Sequence, residues 1–146
     1  MDSDSARVSN YGELSSGNWG ICIAGNGSGR SVVHNSGTID GWPAVGSNGT
    51  ERFDLIDTGR IEALNQAFSG SDIGQCNVRN YGIMIGEGMI GDLDDSPVNR
   101  GFNDGKIWMG DGNDTVTVRG IVGDIIMLGT GNDDYCGTQS PFPISG

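Results

Sequence analysis

Apolar and polar positions recur along this chain in one short figure: apolar, any, Asn, Asp or Thr, any, Gly, any, apolar. It reads Val8-Ser-Asn-Tyr-Gly12-Glu-Leu14, then Val33-His-Asn-Ser-Gly37-Thr-Ile39, then Leu55-Ile-Asp-Thr-Gly59-Arg-Ile61. Val78-Arg-Asn-Tyr-Gly82-Ile-Met84 and Gly101-Phe-Asn-Asp-Gly105-Lys-Ile107 follow, and Gly120 before Ile121-Val122 is a degenerate sixth copy. The anchor glycines are Gly12, Gly37, Gly59, Gly82, Gly105 and Gly120, at steps of 25, 22, 23, 23 and 15 residues. Self-similarity at such a period marks a coil that stacks on itself.

Apolar residues two or four apart in an extended segment point to one side, which in a solenoid is the interior. The Asn/Asp-x-Gly between them makes a corner: Asn or Asp bonds its own backbone, and Gly supplies φ > 0 without penalty. Each strand then pairs with its counterpart one coil away, at about 4.8 Å. The fold predicted is all-β, a parallel β-helix (β-solenoid) of about six short coils with at most one short helix. That helix is residues 60–69, where Ile61, Leu64, Ala67 and Phe68 have helical spacing. Residues 1–7 read as a flexible tail, 8–136 as the solenoid, and 137–146, with two of the four prolines, as a cap or arm. Residues 91–100 read as a solvated acidic loop.

A tighter repeat lies near the C-terminus. Gly110–Asp114 (GDGND) returns 19 residues later as Gly129–Asp133 (GTGND), each followed by a short β-like run. Met109–Thr117 and Leu128–Cys136 resemble the repeats-in-toxin nonapeptide G-G-x-G-x-D-x-U-x, with Met or Leu in the first place. Arg119–Met127 keeps Gly120, Asp124 and Ile126 of the same motif. The resemblance implies a short, degenerate β-roll over 105–136, binding calcium through Asp111, Asp114, Asp124 and Asp133 with backbone carbonyls; calcium takes six to eight oxygens. The plainer alternative is that these Asp side chains only cap turns. The Asn-x-Gly rungs in turn resemble those of adhesin passengers and of phage spike and fibre proteins, over roughly residues 8–135.

Composition sharpens this picture. Glycine supplies 27 of 146 residues against 4 prolines, without the three-residue period of collagen. Acidic residues outnumber basic ones 19 to 8, a net charge of −11, so nucleic acid is not an expected partner. No stretch approaches the apolar length of a membrane span, so membrane insertion is not expected. The N-terminal residues lack the basic and apolar regions of a secretory signal. Cys22, Cys76 and Cys136 read as small buried apolar side chains rather than as a disulfide framework.

Catalytic signatures are sparse. Glycosidases need two placed carboxylates, and the adjacent Asp94 and Asp95 would point to opposite faces of a strand. His34 stands alone at a corner and reads as exposed or capping. Trp19, Trp42 and Trp108 read as core anchors or interface residues before a sugar-stacking ladder. The function expected is therefore non-enzymatic: a structural component of a virion or surface assembly, such as a capsid decoration, spike or fibre part. Its expected partners are other protein subunits, in a homo-oligomer and preferably a trimer, on a virion or extracellular surface. A secreted calcium-binding adhesin or toxin-repeat module is the alternative, and a small carbohydrate-binding or carbohydrate-active β-helix the third.

Overall fold

Each apolar–Asn–Gly figure carries the chain round the corner between two faces of a three-sided coil. The computed structural model describes residues 5–25, 29–70, 74–137 and 144–145. The first coil holds β1 (Arg7–Asn10), β2 (Glu13–Ser15) and β3 (Ile21–Ala24), and the second β4 (Arg30–Asn35), β5 (Thr38–Gly41) and β6 (Val45–Asn48). The third holds β7 (Arg52–Asp57) and β8 (Arg60–Ser69), and the fourth β9 (Gln75–Asn80) and β10 (Ile83–Met89). The fifth holds β11 (Val98–Asn99), β12 (Phe102–Asp104) and β13 (Ile107–Trp108), and the sixth β14 (Thr115–Val118), β15 (Ile121–Val122) and β16 (Ile126–Met127). A further rung is begun by β17 (Asp134–Gly137) and β18 (Ile144–Ser145). The fold is all-β, a parallel β-solenoid of about six turns, without a helix among the described residues.

The first face is a continuous sheet in the order β1-β4-β7-β9-β11-β14-β17. The second stacks β2, β5, the first half of β8, the first half of β10, β12 and β15. The third stacks β3, β6, the second halves of β8 and β10, β13, β16 and β18. The long strands β8 and β10 turn from second face to third without a break, with register shifts between Ile85 and Gly88. Every strand pairing is parallel, as a stack of coils wound in one direction requires.

Register lines up the inward residues in columns. Val8, Val33, Leu55 and Val78 form one on the first face. Leu14, Ile39, Ile61 and Met84 form one on the second. Ile21, Val45, Phe68, Gly88, Ile107 and Ile126 form one on the third, where the Phe68 ring lies over the Gly88 backbone. These columns merge into one core, so no rung has an interior of its own.

The helix expected over 60–69 is strand β8 instead. Ile61 and Ala63 point inward from the second face, and Ala67 and Phe68 from the third. Leu64, at the bend between them, is 93% exposed. Two short strands joined at a bend thus imitate the 3.6-residue period. Parallel neighbours on both sides supply backbone bonds that outweigh that local pattern.

The corner glycines also need a correction. Gly12, Gly37, Gly59 and Gly82 do form a column, but it continues through Gly101 to Gly120, not through Gly105. A Cβ on Gly37, Gly59, Gly82, Gly101 or Gly120 would collide with the carbonyl oxygen of the glycine one coil earlier. Gly105 stacks on Gly86 at a different corner. The steps are therefore 25, 22, 23, 19 and 19, and the coil tightens after residue 82. None of these six has positive φ, so close stacking, and not a left-handed backbone, is what demands glycine here.

Two expected boundaries move. Arg7 lies inside β1, with Val32 donating to the carbonyl of Ala6 at 2.8 Å. Gly137 lies inside β17, and Ile144–Ser145 pairs with β16. The rest of the expected tail, residues 138–143 and 146, lies outside the described residues, as do residues 1–4.

Candidate functional site

Polar side chains concentrate at two corners. Where the third face passes into the first, three turns are stacked: Gly91–Asp95, Gly110–Asp114 and Gly129–Asp133, each 19 residues from the next. The first copy (GDLDD) sits in the segment read as a solvated loop, with Leu93 where the others have Gly112 and Gly131. Gly112 and Gly131 have φ of +138° and +145°, and a Cβ on Gly131 would strike the carbonyl of Gly112. Both facts require glycine there. Outside the turn, Thr130 donates its hydroxyl to Asp111 Oδ1 at 2.7 Å.

Inside the turn, carboxylates climb the stack. Asp95 Oδ1 accepts the Cys76 N–H at 2.7 Å, Asp114 Oδ1 accepts the Asp95 N–H at 2.9 Å, and Asp133 Oδ1 accepts the Asp114 N–H at 3.0 Å. Each acid thus caps an amide one coil earlier. An outer row runs the other way, each side chain capping an amide one coil later: Asp94 Oδ1 accepts the Asn113 N–H at 2.7 Å, and Asn113 Oδ1 accepts the Asn132 N–H at 2.9 Å. Asp95 and Asp114 are buried, and their second oxygens have no hydrogen-bond partner among the described residues. Burial pushes Asp95 up to about 7, against the Cys76 N–H and with help from Asp114, Asp94 and Asp92. Burial likewise raises Asp114 to about 6, with Asp133 and Asp94 adding to it against the Asp95 N–H.

The other polar corner is an amide ladder. Asn10, Asn35, Asp57, Asn80 and Asn99 occupy one inward column, all buried. Asn10 Nδ2 donates to Asn35 Oδ1 at 2.9 Å, Asn35 Nδ2 to Asp57 Oδ1 at 2.7 Å, and Asn80 Nδ2 to Asn99 Oδ1 at 2.9 Å. Each Asx oxygen in the first four rungs also accepts the N–H of its own corner glycine, two residues on. Asp57 breaks the pattern. Its Oδ2 takes the place where the ladder's asparagines have an amide N–H donor, and it is buried without a partner among the described residues. Burial raises Asp57 to about 6, against the bonds from Asn35 and Gly59.

The remaining candidates scatter. Asp124 lies between β15 and β16, at a corner away from the stacked turns, and accepts the Ile125 N–H at 2.8 Å. The spacing expected to gather it with Asp111, Asp114 and Asp133 does not do so. Asp94 is exposed and Asp95 buried, both engaged with backbone amides. His34 lies on β4 and not at a corner, half-buried, with Arg7 beside its Nε2 at 3.4 Å. Cys76 is buried as expected, but Cys22 and Cys136 are exposed, because their strand positions face outward. All three are free thiols, and burial raises Cys76 well above its ordinary value, with Asp95 and Asp54 adding to it. Trp19, Trp42 and Trp108 are all partly exposed, with Trp19 packed flat over Gly46.

The donor set does not fit a calcium site of the repeats-in-toxin kind. One oxygen of each stacked Asp is committed to an amide, and the acids follow one another up a column. Among the described residues no three His, Cys, Asp or Glu side chains converge as ligands would. Comparison with protein-family models, curated proteins and solved structures finds no match.

Proposed function

We propose that this chain is a non-enzymatic structural protein of a virion or surface assembly, built to be stacked end to end with another subunit. The observation that carries this reading is the strand edge of the first described rung. Strands β1, β2 and β3 each have one neighbour only among the described residues, so three edges present unpaired backbone groups together. Leu14, which heads the column of fully buried Ile39 and Ile61, is itself 38% exposed. Val8 is half-buried at the head of its own column. Edges of this kind invite pairing with another chain. The Asn-x-Gly rungs, the acidic surface and the amide-capping role of the acids support the same reading.

Size-exclusion chromatography with light scattering, followed by electron microscopy, tests it. Stable oligomers that dissociate on Leu14→Lys support the proposal. A strictly monomeric chain at high micromolar concentration, with Leu14→Lys unchanged, rejects it.

A further inference from the structure

The third face carries an outward column distinct from that edge. Met89 on β10 is in register with Trp108 on β13, and Trp108 with Met127 on β16. Met89 and Trp108 remain 36% and 39% exposed, and with Gly110 and Gly129 the three line a hollow of about 620 Å³. Its rim is acidic: Glu87 and Asp111 line it directly, and Asp92, Asp94 and Asp133 lie on the adjoining stacked turns. The seven arginines are elsewhere. Arg7, Arg30, Arg52 and Arg79 are on the first face, Arg100 and Arg119 at its corner, and Arg60 opens the second face. Lys106 is the sole basic residue of the third face.

We propose that this column is a docking face for a basic amphipathic helix of a partner protein. Charge complementarity selects the sign: an apolar strip with an acidic rim on a chain of net charge −11 attracts a cationic partner and repels an anionic one. Spacing suits a helix. Successive rungs lie about 4.8 Å apart, and helix residues three or four apart lie about 5–6 Å apart. A helix along the solenoid axis therefore meets Met89, Trp108 and Met127 with one apolar residue per rung. Two methionines adapt to side chains of differing shape, and an exposed Trp is the kind of anchor that dominates such contacts. A second copy is a poorer occupant, because Arg30 and Arg52 are already bonded to Asp54, and Arg60 to Glu62.

The test is fluorescence anisotropy with two labelled peptides, a Lys/Leu amphipathic helix and its Glu/Leu counterpart, titrated with the full chain. Binding of the Lys/Leu peptide alone, weakened about tenfold or more by Trp108→Ser and by Met127→Ser but not by Trp42→Ser, supports the proposal. Circular dichroism of each variant checks that it is folded, and Met127→Ser serves if Trp108→Ser is not. Equal affinity for all folded variants shows attraction by charge alone and overturns it. So does binding of the Glu/Leu peptide, no binding of either peptide at millimolar concentration, or loss of self-association in Trp108→Ser.

Discussion

Asn35 donates its side-chain amide to Asp57 Oδ1 at 2.7 Å, one coil further along the stack. Asn35 also donates to the carbonyls of Gly37 and Arg60, each at 3.2 Å. Asp57 offers no amide to the equivalent acceptors, the carbonyls of Gly59 on its own rung and Ile83 on the next. Its buried Oδ2 can serve them only as a protonated acid, which is the form that burial favours. Replacing it with Asn supplies the missing donor and removes the charge. Asp57→Asn is therefore expected to stabilise the chain at pH 8 by about 2–3 kcal/mol, the size implied by a pKa of about 6 against 3.8. At pH 4.5 the gain should be much smaller. Urea melts of both proteins at the two pH values check this, and a less stable Asp57→Asn at pH 8 contradicts the ladder argument.

The same sign governs the acidic column. Asp95 and Asp114 have folded-state values of about 7 and about 6, above the ordinary 3.8. A carboxyl with a raised folded-state pKa binds its proton more tightly when folded. Its contribution is complete below about pH 4 and is lost as pH rises through 6 to 7. The chain should thus be more stable at pH 5 than at pH 8, the reverse of ordinary acid denaturation. Asp95→Asn should flatten that dependence while keeping a carbonyl oxygen for the Cys76 N–H. Thermal melts across pH 4.5–8.5 measure it, and a stability maximum at pH 8 in both proteins would contradict it.

How much of this was legible in the chain depends on which residues one follows. The rungs were, because Val33, Leu55 and Val78 with their Asn or Asp partners recur at nearly constant spacing. The break in period was harder. Gly101 and Gly105 each close an Asn-x-Gly triplet, and only the close stacking of Gly101 on Gly82 selects between them. A clue was present: the steps from 82 to 101 and from 101 to 120 equal the 19 residues between Gly110 and Gly129. Leu93 hid the first stacked turn by standing where its two successors have glycine. The unpartnered oxygens of Asp57, Asp95 and Asp114 had no signature at all, since burial arises only when coils are superposed.

Glycines of the Asn-x-Gly corner separate by position in the stack. A Cβ at Gly59 points into the carbonyl of Gly37, where backbone on both rungs must move. At Gly12, on the first rung, a Cβ meets nothing within 4 Å. Gly59→Ala should cost about 3 kcal/mol or more, as overpacking against fixed backbone does. Gly12→Ala should stay within about 0.5 kcal/mol. Chemical denaturation of the pair decides the matter, and equal costs would mean that conformational freedom, not space, explains these glycines.

Metal dependence is the last discriminating measurement. A ligand that binds only the folded chain stabilises it by about 2.7 kcal/mol at a hundred times its dissociation constant. Asp114 and Asp133 each use one oxygen to hold an amide, and Asp124 is at another corner, so the stack does not need an ion to close. Melting temperature and circular dichroism should therefore be the same in millimolar calcium and in excess chelator. Asp111→Asn, which keeps an oxygen for Thr130, should change neither. Unfolding in chelator, reversed by calcium and lost with Asp114→Asn, would show instead that the stacked turns rearrange around a cation, and would favour a secreted calcium-dependent module over a structural subunit.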